Sequence, residues 1–248
     1  MKTYIHAYFS SLKQKLHRLT AGLALGSLFA VAAAGCGATP QDQKLGQQTF
    51  TYTIPPTGLP SGFSLPPIAC ADVSTCYSFL RAANINLPGL TPVCEANYCA
   101  ADLKLTILYV IDAVNDPAFT LGIAQSEADK FRDVKMTYGI TSTINLAINQ
   151  IDVYVGKDGL RSPSDPNSIY LGTVGPVAAK GVVPDGENYL LIEDGTPAHT
   201  QFVNYAKHPE NKFNVLMVAT TPRLKAGDPI PAGGIEVRMV PIVTLLNR

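Results

Sequence analysis

Apolar side chains recur on alternate positions along most of this chain, a spacing that suits strands and no other regular structure. Leu103, Leu105, Ile107, Tyr109 and Ile111 form one such set, with Leu108 and Val110 filling the opposite face near its end. Val134, Met136, Tyr138 and Ile140 alternate with Lys135, Thr137 and Thr141, and Phe50, Tyr52 and Ile54 alternate with Thr51 and Thr53. Ile235, Val237 and Met239 do the same around Glu236 and Arg238. Successive side chains of a strand point to opposite faces, so each set predicts one face in a core and one in water. Ile144, Leu146 and Ile148 prolong the series, after which the apolar parity moves to Ile151, Val153 and Val155. A slip of one residue would turn a strand inside out, so a bulge or turn is predicted near Asn149 and Gln150. Further strands are predicted at 168–174, 188–193 and 213–221, the last a near-continuous apolar run suited to the middle of a sheet.

Helical signals are few. Ser126 precedes EADKFRD with Asp129 three residues on, Thr196-Pro197 opens PAHTQFVNYAK with proline at the first helical position, and a turn or two follows Ser74. None alternates regularly with strands, which argues against βαβ units and a parallel sheet. About eight strands separated by Gly- and Pro-rich loops predict an all-β fold. Its expected form is an antiparallel β-sandwich with a disulfide-stapled irregular insertion and one or two short helices. At the level of fold alone the body resembles immunoglobulin-like and fibronectin-like surface modules. It has no tryptophan and its cysteines lie outside the clear strands, so none of their motifs is present.

The N-terminus reads as a leader. Lys2, Lys13, Lys15 and Arg18 stand without any acidic residue, and residues 19–34 are small or apolar and uncharged. That run is shorter than the roughly 20 residues that span a bilayer, and it ends in Ala33-Ala34-Gly35-Cys36. This boundary resembles the lipobox of bacterial lipoproteins, with Ala33 where leucine is commoner. The resemblance implies cleavage after residue 35 and acylation of Cys36, by chains such as palmitate, giving a lipid-anchored protein. Gly37 stands where an aspartate would retain such a protein at the inner membrane, which implies the outer membrane. The expected organisation is a signal peptide at 1–35, the lipidated Cys36 with a polar tether to 48, and one domain over 49–248.

Removing residues 1–35 leaves 15 basic and 19 acidic residues, a formal charge of −4. Lysines are scattered singly, so neither a nucleic-acid partner nor an electrostatic membrane patch is expected, and lipid must supply the membrane affinity. Without Cys36 the cysteines number four: Cys70, Cys76, Cys94 and Cys99. In an exported protein they read as two disulfides stapling the Pro- and Gly-rich stretch 55–101, with three pairings open. The spacings C-x5-C and C-x4-C are wider than a zinc knuckle, so a tetrathiolate site is the weaker reading.

No nucleophile elbow, zinc-binding H-E-x-x-H, dinucleotide or P-loop motif follows Cys36, and no cofactor or metal is expected. His199 and His208, nine residues apart, do not share a helix face as an i, i+4 metal pair would, and read as solvated helix-surface residues. Asp112 and Asp116 flank a strand, and Asp185, Glu187, Glu193 and Asp194 bracket another. Turn chemistry accounts for them, as in Asp185-Gly186 and Asp194-Gly195. Asp158, Asp165 and Asn167 in the loop 157–168 are candidate oxygen ligands, although no EF-hand spacing is present. Tyr154 and Tyr170 are candidate stacking rings for a sugar. The expected function is non-enzymatic: an envelope lipoprotein that binds another envelope protein as an adhesion or assembly component. The alternative is a binder or processor of cell-envelope or extracellular glycans.

Overall fold

Two antiparallel sheets are packed face to face in the computed structural model, which describes residues 40–57, 63–112, 125–208 and 212–246. Cys36, the whole leader 1–35 and Asp116 lie outside the described residues. The first sheet joins β1 (Gln41–Lys44), β2 (Gln48–Thr53), β5 (Phe131–Ser142), β8 (Val182–Ile192) and β10 (Gly234–Leu245). Its order is β1-β10-β5-β8, with β2 also on β10. The second sheet joins β3 (Leu90–Glu95), β4 (Tyr98–Ile111), β6 (Gln150–Lys157), β7 (Ile169–Val174) and β9 (Phe213–Thr220), in the order β3-β4-β9-β6-β7. The fold is the expected all-β sandwich with a stapled segment and short helices.

The period of two places the core. Inward residues of the second sheet fall into cross-strand rows, such as Leu105, Ala219, Ile151 and Val174. Facing them are Val134, Met136 and Ile140 of β5 with Val237, Met239 and Val243 of β10. Burial of these side chains, about 25 cal/mol per Å² of apolar surface, is the main force holding the layers together. The run FNVLMVATT occupies β9, a central strand, as its continuous apolarity predicts.

Several elements differ from expectation. Residues 41–44, read as tether, form β1 and pair with 242–245 of β10, held by backbone bonds that leave no apolar pattern. Residues 143–149, read as a strand, are instead the crossing from one sheet to the other. Ile144 and Ile148 are fully buried there, and Ile148 forms an isolated bridge with Val177. The predicted break near Asn149 and Gln150 is thus a change of layer. The helix expected from Ser126 is a short 3-10 turn, Gln125–Lys130, and Phe131, Arg132 and Asp133 already belong to β5.

Two α-helices are present among the described residues: α1 (Val73–Ala82) and α2 (Pro197–Lys207). Asp72 caps α1, accepting from the amides of Ser74 at 2.9 Å and Thr75 at 3.3 Å. Thr196 caps α2 by accepting from the His199 amide at 3.1 Å, and Pro197 begins the helix where a missing N–H costs nothing. The staple pairs Cys70 with Cys94 and Cys76 with Cys99. Cys94 and Cys99 are direct partners across β3 and β4, so two of the four cysteines do enter strands, on a hairpin turned by Ala96 and Asn97, both at positive φ.

Gly89, just before that hairpin, sits at φ +82°, and a Cβ there would meet the Lys104 carbonyl oxygen. Gly89→Ala is therefore expected to destabilise the protein by about 3 kcal/mol, measured by urea unfolding, because backbone must shift and a left-handed residue is strained.

Beneath α2, between the sheets, lies a cavity of about 50 Å³ walled by Phe50, Ile111, Val153, Phe202 and other apolar side chains. Gln48 also lines it, and its buried Nε2 has no partner. An unpaired buried amide is penalised by about 1–3 kcal/mol. Gln48→Met, near in volume and free of that donor, should raise stability by about 1 kcal/mol in the same measurement.

Candidate binding face

The register of the second sheet brings distant residues into transverse rows on its outer surface. Leu108 pairs with Leu216, Leu216 with Tyr154, and Tyr154 with Tyr170. One row thus crosses four strands, with Leu216 fully buried within it and Leu108, half-buried Tyr154 and Tyr170 reaching the surface. Leu108 is 38% exposed and Tyr170 52%, and Val110, on the same face, is 49% exposed. The Tyr154 and Tyr170 ring centroids lie 5.3 Å apart, tilted by 53°. Partial burial raises the Tyr154 phenol above its ordinary range, with the nearby Asp152 carboxylate and Tyr170 adding to the effect.

The adjoining row is polar. It runs Thr106, Val218, Asp152 and Thr173. Thr173 donates to Asp152 at 2.7 Å, the Tyr170 hydroxyl is bonded to Thr173, and Gln150 donates to both Asp152 oxygens at 3.1 Å. This network holds the Tyr170 ring beside Tyr154 and keeps acceptors pointing outward next to the aromatic pair.

The loop 157–168 closes one end of the face. Leu160 is buried over Gly156, and its carbonyl accepts from Asn214 Nδ2 at 3.2 Å. Asp165 turns inward on the loop itself, accepting from the amide of Asn167 at 2.9 Å and from its side chain at 3.3 Å. Asp165 and Asn167 thus bond to each other, and Asp158 stands exposed in the same loop. Among the described residues the one group of three or more His, Cys, Asp or Glu ligand atoms at metal-binding distance, Cys70, Cys76 and Cys99, is made of disulfide sulfurs. The structure thus joins the two tyrosines and, of the three loop residues, joins Asp165 to Asn167. Asp152, Thr173, Gln150 and Leu108 were missed, because only strand order brings them beside the rings.

His199 differs from expectation, whereas His208 is exposed as expected. His199 is 6% exposed, its Nδ1 3.4 Å from Asp194 and its Nε2 buried without a partner, because the first turn of α2 faces the body. His208 ends the same helix at its exposed end. The carboxylates singled out by sequence serve structure: Asp185 pairs with Arg238 at 3.0 Å and Asp112 with Lys212 at 3.1 Å. The outer face of the first sheet is mixed: Arg238 is also bonded to Glu236, Lys135 lies 4.2 Å over the Tyr189 ring, and Tyr189 and Leu191 are exposed.

No protein-family model matches the sequence, and no curated protein matches it. Among solved structures, the chain is similar to one from the semi-empty virus-like particle of giant freshwater prawn Macrobrachium rosenbergii nodavirus. That match has a TM-score of 0.25 and 9% identity over 90% of this chain and 91% of the other. A chain of Mud Crab Dicistrovirus matches with a TM-score of 0.22 and 12% identity, over 84% of this chain and 70% of that one. At such TM-scores the likeness bears on neither fold detail nor function.

Proposed function

We propose that this protein is a non-enzymatic bacterial lipoprotein, anchored through Cys36 at the outer membrane, whose second sheet docks another envelope protein. The supporting observation is the set of apolar and aromatic side chains on that sheet's outer face, exposed Leu108, Val110 and Tyr170 with half-buried Tyr154. Single exposed apolar residues are ordinary, but several on one sheet face beside an aromatic pair suit an interaction surface. Anchoring rests on the leader and lipobox-like boundary of the sequence, and the body adds no basic patch of its own.

A second reading has its own support. Tyr154 and Tyr170 beside Asp152, Thr173 and Gln150 combine stacking rings with hydroxyl-binding acceptors and donors, the chemistry that holds a sugar ring. The two readings separate by experiment. Leu108→Ser with Val110→Ser is expected to abolish recovery of a specific protein partner, at least tenfold, when the tagged protein is cross-linked in native membranes. Saturable binding on a glycan array that is lost on Tyr154→Ala, with partner capture unchanged by the double substitution, would favour the glycan reading instead.

A further inference from the structure

The stapled segment carries a second concave surface, unrelated to the sheet face. A groove of about 320 Å³ runs between α1 and β3, lined by Tyr77 and Arg81 of α1, Asn84 and Asn86 of the following turn, and Pro92 of β3. Its floor is tied into the protein by Leu80, Ile85 and Leu87, all buried in the main core. Its walls are fixed covalently. Cys76, next to Tyr77, is bonded to Cys99 of β4, and Cys70, ahead of the helix, is bonded to Cys94 of β3. The groove therefore cannot widen by rolling α1 away, and a ligand would meet a surface already ordered.

The chemistry of the lining is specific. Tyr77 and Arg81 are four residues apart, so they share one face of α1. The Tyr77 ring is 54% exposed. The Arg81 guanidinium makes no ion pair or hydrogen bond with another described residue, whereas Arg223 and Arg238 are each held by carboxylates. No carboxylate lines the groove. A fixed fork of donors without a counter-ion, beside an exposed ring and two side-chain amides, matches one ligand chemistry closely: a planar anion carried on a ring.

We propose that this groove binds a small carboxylate borne on a ring, of about monosaccharide size. The guanidinium takes the carboxylate through two parallel N–H donors, the Tyr77 ring covers the flat face of the ligand, and Asn84 and Asn86 bond its remaining polar atoms. Acidic sugars and aromatic acids share this chemistry.

The test is titration of the full chain with glucuronate, benzoate and glucose, followed by amide and side-chain NMR shifts. Saturable binding of glucuronate or benzoate is expected, with shifts at Tyr77, Asn84 and Asn86, and glucose at least tenfold weaker. Arg81→Gln, a polar change at an exposed position that removes the charge and the fork, should weaken the carboxylate about tenfold or more, and Arg81→Lys should fall between, since it keeps the charge and loses the fork. Preference for glucuronate identifies an acidic sugar as the source, and preference for benzoate an aromatic acid. The proposal is overturned if neither carboxylate saturates by about 20 mM, if glucose binds equally well, or if Arg81→Gln binds as the wild type does.

Discussion

Converting Cys76 and Cys99 together to alanine is expected to lower the free energy of unfolding by about 3 kcal/mol. The two residues are 23 apart in sequence, and closing a loop of that length removes about that much entropy from the unfolded chain. The expected loss is local before it is global. α1 touches the hairpin of β3 and β4 and little else, and its apolar anchors are few, so its attachment depends on the staple more than on the core. Hydrogen exchange should show faster opening over 73–99, while β5, β9 and β10 keep their protection. The second disulfide encloses an overlapping stretch, so removing both should cost less than twice as much. Unchanged urea unfolding and unchanged exchange in α1 would show that packing alone seats the helix.

The sequence revealed those elements whose burial pattern is local. β2, β4, β5 and β10 each bury an alternating set written in consecutive residues, and β9 is buried almost throughout, as its continuous apolar run shows. The α2 start was legible because a threonine cap followed by proline is local chemistry too. The failures have a common physical origin, which is that the determining contact lies far along the chain. β1 is polar throughout and exists because β10 offers it backbone partners some 200 residues away, as Asp42 with Thr244 shows. Ile144 and Ile148 alternate as strand residues do, yet they fill the corner between layers, and apolar spacing cannot distinguish a strand from a crossing. The hairpin of β3 and β4 turns on Ala96 and Asn97 without the glycine that usually marks two left-handed residues, so composition gave no signal for it.

The same distinction applies to the candidate face. That Tyr154 faces away from Val153 and Val155 follows from parity alone, and it does so in the structure. That it meets Tyr170 on one side and Leu216 on the other follows from the order β4-β9-β6-β7, in which β9 is inserted between strands that precede it in the chain. Sequence therefore supplied the rings and not their company. His199 shows the converse limit: a polar residue in an amphipathic helix reads as solvated until the docking angle of the helix is known.

Cys36→Ala is expected to move the protein from the membrane fraction to the soluble one. Each buried methylene contributes about 0.8 kcal/mol, so two or more acyl chains hold a protein at a bilayer where a single chain binds only weakly and reversibly. Nothing else in the sequence offers a comparable attraction. The residues after Cys36 carry a formal charge of −4, with lysines scattered singly, and among the described residues no helix is long and apolar enough to cross a membrane. The uncharged run 19–34, if retained, falls short of a comfortable span by several residues. Carbonate-washed membranes from cells expressing each form, with intact-mass measurement of the recovered protein, provide the readout. Wild type should begin at position 36 with a mass increment of acyl chains, and the variant should lack that increment and appear in the wash. If both forms stay with the membrane, or if the wild-type cysteine carries no added mass, lipid is not the anchor, and the face formed by Leu108, Tyr154 and Tyr170 becomes the first candidate for membrane contact.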